Sequence, residues 1–102
     1  MIVKLEELDA NQLLECNVCI VGAGPAGITL AKELGNYGVK VILCEAGELD
    51  YSEQSQDCYK GKVIGDTYFP LDISRLRYFG GTSNHWGGWC RYFEEIDFKR
   101  NY

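Results

Sequence analysis

The chain has 102 residues, 46% of them hydrophobic and 25% charged, with a formal net charge of −5. That length and balance describe one ordinary globular domain or part of one, able to bury a modest core. The acidic surplus excludes a nucleic-acid partner, which needs a basic face, and no run reaches the roughly 18 apolar residues of a membrane span.

The N-terminus, MIVKLEELDANQLLE, is acidic where a secretory signal is basic, so we expect a cytoplasmic protein. Residues 2–5 (IVKL) read as a short strand and residues 9–15 as a polar turn. Residues 16–21 (CNVCIV) form a short, mostly apolar run ending at glycine, the pattern of a buried parallel strand. A helix is expected from about Pro25 to Tyr37. Pro25 suits the first turn, Gly27, Leu30, Ala31 and Leu34 recur as its inward face, and Gly38 stops it. Residues 39–44 (VKVILC) read as the second strand. The βαβ unit spans residues 16–45, a right-handed crossover with parallel strands.

Beyond Glu45 regularity fades. A helical turn is expected near Ser52–Cys58, an extended piece over residues 62–64, a lead-in over Arg75–Phe79, and a strand over residues 89–93. An alternating-charge tail then runs to Tyr102. The five cysteines are odd in number and scattered. Cys16 and Cys19, three apart on a strand, point to opposite faces, and no second pair at zinc spacing follows. Cys19 and Cys44 fit a role as small strand hydrophobes.

Two stretches carry chemistry. Gly22-Ala23-Gly24-Pro25-Ala26-Gly27 closes a strand and opens a helix. In that setting Gly22 allows the tight turn, Gly24 lets the backbone approach a pyrophosphate, and Gly27 lets helix and strand lie close. The pyrophosphate rests on the helix N-terminus. Glu45, eighteen residues after Gly27, ends the second strand where a carboxylate accepts hydrogen bonds from ribose hydroxyls. It repels a 2′-phosphate, which leaves FAD or NAD. The structural alternative is a glycine-rich turn with a surface glutamate.

The second stretch is residues 75–92. Arg75 and Arg77 are cations beside the Gly80-Gly81 pair, whose amides suit a phosphate or the polar edge of a flavin. Flanking aromatics suit a flat ring system. The single histidine, His85, is open to several roles: hydrogen-bond donor, acid or base, nucleophile, or a loop-stabilising side chain.

Together VCIVGAGPAGITLAKEL, VILCEAG and RLRYFGGTSNHWGGWCRYFEEIDF resemble the N-terminal region of the glucose-methanol-choline (GMC) oxidoreductases, nearest their sugar-dehydrogenase and pyranose-oxidase-like branch. The dinucleotide motif is common to many flavoproteins; the block from Arg77 to Gly88 is the more specific part. The resemblance implies a Rossmann-like α/β fold, here an incomplete doubly wound one. It implies FAD as cofactor and a small alcohol, sugar or polyol as substrate, with FAD taking the hydride. Gly22, Gly24 and Gly27 then match the pyrophosphate turn and Glu45 the adenosine-ribose ligand. Arg77, Gly80, Gly81 and Thr82 match the segment beside the isoalloxazine ring, and His85 a histidine joined to the flavin 8α-methyl carbon in tethered relatives.

The family's catalytic histidine pair and substrate domain have no counterpart in residues 1–102. The chain therefore reads as the N-terminal part of an FAD-binding domain, not active alone. Two other readings stand beside it: an NAD-binding dehydrogenase, which leaves the GGTSNHWGG block without a use, and a non-catalytic dinucleotide-binding remnant.

Overall fold

The computed structural model describes residues 1–99. Its regular centre is a two-stranded parallel sheet, β1 (Val18–Val21) and β2 (Val41–Cys44), connected by helix α1 (Pro25–Asn36). Val18 pairs with Val41, Cys19 with Ile42, Ile20 with Leu43 and Val21 with Cys44. The ladder continues at each end, with Asn17 N–H donating to the Lys40 carbonyl and Gly22 N–H to the Cys44 carbonyl. The parallel pairing therefore delivers the Gly22 turn and Glu45 side by side at one end of the sheet.

α1 starts at Pro25, whose missing N–H costs nothing at a first helical turn. It ends in a Schellman arrangement. Gly38 N–H donates to the Gly35 carbonyl and Val39 N–H to the Leu34 carbonyl, satisfying two orphan acceptors. Gly27, Ala31 and Leu34 are half-buried as expected, whereas Leu30, counted with them, stays 49% exposed. The two strands offer α1 only a narrow face, and Leu30 is left on its solvent side.

The same geometry corrects the reading of the cysteines as strand hydrophobes. Cys19 and Cys44 are exposed on the sheet face away from α1, with their Sγ atoms 3.9 Å apart. Val21 beside them is 86% exposed. Among the described residues the buried hydrophobic ones are Ile20, under α1, and Ala23, in the turn.

After β2 come helix α2 (Glu53–Gln56), a 3-10 turn over Asp57–Tyr59, helix α3 (Leu71–Ser74) and a 3-10 turn over Gly81–His85. The helical turn expected near Ser52–Cys58 thus forms, with Ser52 Oγ capping α2 by accepting from Ser55 N–H at 3.2 Å.

Two expected strands are missing. Residues 2–4 and residues 89–93 form no ladder, and Leu5–Glu7 makes a 3-10 turn instead. Each run has strand composition but no partner strand, and without interstrand hydrogen bonds β-propensity alone builds nothing. Residues 100–102, the end of the alternating-charge tail, lie outside the described residues. Among the described residues no helix is long and apolar enough to cross a membrane.

Candidate cofactor site

Three segments far apart in sequence meet at Ala23, which is 1% exposed. Its N–H donates to Glu45 Oε2 at 2.6 Å, and its carbonyl accepts from Gly80 N–H at 2.8 Å. The glycine turn, the acid after β2 and the Gly80-Gly81 loop are therefore one hydrogen-bonded junction. Gly81 also packs on the turn, with its Cβ position 3.8 Å from Gly24 Cα.

Within the turn, Gly22 holds φ at +100°, a region L side chains rarely enter. At Gly27 a Cβ would overlap the Gly22 carbonyl, so α1 sits as close to the turn as it does only because that atom is missing. Gly24 differs from both. Its backbone is ordinary (φ −76°), and a Cβ there would meet nothing within 4 Å. The open space beside Gly24 belongs to a cleft of about 450 Å³ whose wall includes Gly22, Gly24, Pro25, Glu45, Arg75, Arg77, Gly81 and Thr82. The first helical N–H to bond is that of Ile28, to the Gly24 carbonyl, so the N–H groups of Ala26 and Gly27 precede the ladder and keep the positive character of a helix start.

Glu45 is partly buried and heavily engaged. Oε1 accepts from Ala46 N–H at 2.9 Å and Gly47 N–H at 2.8 Å, and Oε2 from Ala23 N–H. Burial pushes its pKa up, but the N–H groups of Gly47, Ala23 and Ala46 and the nearby Arg77 charge outweigh it, holding the carboxyl below its ordinary value. An ionised carboxylate offers about four lone-pair sites. Three are used internally, so about one remains for a hydroxyl in the cleft.

The opposite wall is Arg75–Tyr78. The Gly47 Cβ position overlaps the Arg77 carbonyl, so this wall also approaches as closely as a glycine allows. Leu76 N–H donates to Thr82 Oγ1 at 3.1 Å, Phe79 N–H to the Glu48 carbonyl at 2.9 Å, and Tyr51 meets Tyr78 edge to face. Of the residues singled out from the sequence, Gly22, Gly24, Glu45, Arg75, Arg77, Gly81 and Thr82 line the cleft. Gly27 and Gly80 stand behind it as packing and hydrogen-bonding groups. His85 is exposed at the end of the 3-10 turn and is not part of the cleft wall.

Sequence reasoning passed over Ser55, Gln56 and Gly47. The partners of Ser55 and Gln56 are mostly backbone groups 16 to 22 residues away, which leave no pattern in the chain. Only Gly47, placed two residues after the acid, offered a local signal.

The profile of a family described as FAD binding domain matches residues 15–66. Ubiquinone hydroxylase UbiM of Neisseria meningitidis is 38% identical over 60 residues, covering 59% of this chain and 13% of that protein. Dihydrolipoyl dehydrogenase of Corynebacterium glutamicum is 31% identical over 99 residues, 97% of this chain and 20% of that protein. Lysine-specific histone demethylase 1B of Mus musculus is 42% identical over 50 residues, 48% of this chain and 6% of that protein. The chain thus spans at most 20% of the length of these relatives. No solved structure matches it.

These matches overturn the resemblance to the GMC oxidoreductases. The matching family is a different FAD family, and the named relatives are a hydroxylase, a dihydrolipoyl dehydrogenase and a demethylase. The match covers the dinucleotide motif, which many flavoproteins share. The Arg77–Gly88 block, which carried the GMC reading, lies past the end of the profile match. Oxidation of an alcohol or sugar has no support from these matches, and the expected flavin tether through His85 rested on that resemblance alone.

Proposed function

The chain belongs to the FAD binding domain family, and we propose that its cleft receives the adenosine–pyrophosphate half of FAD within an FAD-dependent oxidoreductase of Rossmann-like, doubly wound architecture. Gly22, Gly24 and the start of α1 take the pyrophosphate, Glu45 takes an adenosine-ribose hydroxyl, and Arg77, Gly81 and Thr82 form the facing wall. The observation that carries this is the junction at Ala23, whose N–H is bound by the acid and whose carbonyl is bound by the glycine loop.

The chemistry of the donor set fits the group. Glu45 is ionised and keeps about one acceptor position for a ribose hydroxyl. Gly24 leaves open space where a phosphate can come against the backbone. Arg77 supplies a cation across the cleft. Bound FAD supplies two-electron oxidation–reduction chemistry; the residues here bind and orient its adenosine end. The three relatives are named for different reactions. That variety fits a chain that carries cofactor binding and leaves substrate choice to other parts of a protein.

Gly24→Val tests the assignment. Its backbone tolerates any residue and its side chain enters empty space, so the melting temperature stays within a few degrees of wild type while FAD binding, read by quenching of flavin fluorescence, is lost. Undiminished FAD binding by Gly24→Val refutes the placement of the pyrophosphate.

A further inference from the structure

We propose that Ser55 and Gln56 are positioning residues for FAD, holding the Arg75–Tyr78 wall and the Arg77 guanidinium where an anionic part of the cofactor meets them. The inference rests on the FAD reading of the cleft and goes beyond it by giving α2 a role in binding. Ser55 and Gln56 are the two buried polar residues of the described chain, at 8% and 5% exposure. A buried carboxamide is costly unless its groups are paired, and here they are. Gln56 Nε2 donates to the Asp72 carbonyl at 2.7 Å and the Arg75 carbonyl at 2.6 Å, while Oε1 accepts from Arg77 N–H at 3.1 Å. Both of its donors and its acceptor point at one segment. That fixes the amide orientation, because a flipped amide sets oxygen against two carbonyls and nitrogen against an N–H.

Ser55 completes the grip. Its hydroxyl donates to the Arg77 carbonyl at 2.8 Å and accepts from Arg77 Nη1 at 2.9 Å. Two adjacent side chains thus hold the Arg77 N–H, its carbonyl and one guanidinium nitrogen. Among the described residues Arg77 forms no ion pair, although it lines the same cleft as Glu45. The guanidinium carries five N–H donors. With a hydroxyl rather than a carboxylate as its internal partner, its charge is left for an anion in the cleft, and the pyrophosphate is the anion the cofactor brings.

The test is a double-mutant cycle on FAD affinity, with melting of each variant measured without FAD. Ser55→Ala is expected to weaken FAD binding about tenfold, the scale of one hydrogen bond to a charged group. Arg77→Ala weakens it by more, and the double variant binds no worse than Arg77→Ala alone. Ser55→Thr, which keeps the hydroxyl, retains wild-type affinity. Gln56→Glu, which replaces the two donors with acceptors facing carbonyls, loses affinity at least as severely as Ser55→Ala. A merely structural serine lowers melting but gives additive losses in the cycle. Additive losses, or Ser55→Ala binding FAD like wild type while Arg77→Ala binds poorly, overturn the inference and leave the cleft assignment standing. If wild type fails to bind FAD, or Arg77→Ala binds as tightly as wild type, the cleft assignment itself fails and this inference fails with it.

Discussion

The βαβ unit and the segment after it are held by different forces. In residues 18–44 the backbone bonds to itself through a parallel ladder and a capped helix. In residues 45–85 the main fasteners are side chains on backbone groups: Glu45 on three N–H groups, Gln56 on two carbonyls and an N–H, Ser55 on a carbonyl, and Thr82 on an N–H. A ladder tolerates many sequences, because each residue brings its own donor and acceptor. A side-chain fastener tolerates few, since losing it strands several buried groups at once. Yet the cleft needs both regions, because one supplies the turn and the other the facing wall.

The largest effect comes from forcing the two regions apart. Gly27→Val drives α1 off the Gly22 carbonyl, and a destabilisation of about 3 kcal/mol is expected, at the upper end of overpacking costs. FAD binding and the cooperative melt are expected to disappear together, which circular dichroism and a flavin titration check. This contrasts with Gly24→Val, three residues earlier, where only binding suffers.

The next effect falls on the link between them. Glu45→Gln sets an amide N–H2 or a weaker, uncharged acceptor against Ala23 N–H. The expected loss is about 1.5–3 kcal/mol in FAD affinity, roughly tenfold to a hundredfold or more. The pH response follows from the same carboxyl. Its folded pKa lies below the ordinary value, so its contribution is whole above that value and is lost as pH falls through the lower, folded one. Melting temperature and FAD affinity should therefore decline in acid, below about pH 4, and Glu45→Gln should flatten that decline. An unchanged acid profile in Glu45→Gln shows that other carboxylates set it.

The smallest effect is at His85. It is exposed and away from the cleft wall, so His85→Ala is expected to change FAD affinity less than about twofold, within the range of surface substitutions. A tenfold loss places the imidazole on the cofactor after all.

The two regions also differ in how far the chain reveals them. The βαβ unit was readable because its signals are local: β-branched runs for the strands, Pro25 at the helix start, Gly38 at its stop. Glu45 was readable because a parallel crossover of that length returns the second strand's end to the glycine turn. The Ser55 and Gln56 contacts were not, since a backbone carbonyl at Asp72 or Arg75 looks the same under any side chain. Residues 2–5 and 89–93 misled for a related reason. Their composition suits a strand, but strand formation depends on a partner elsewhere, and among the described residues β1 and β2 pair only with each other. The family misreading was of the same kind, with a short aromatic and glycine block outweighing a motif that many flavoproteins share.

A cleft that holds the adenosine–pyrophosphate half of FAD must also bind ADP. The most direct measurement is competition: FAD bound to the protein is titrated separately with ADP and with FMN. ADP is expected to displace FAD, and Glu45→Gln to weaken ADP and FAD alike. Displacement by FMN with none by ADP would contradict that assignment, placing the flavin ring rather than the adenosine end between Glu45 and Arg77.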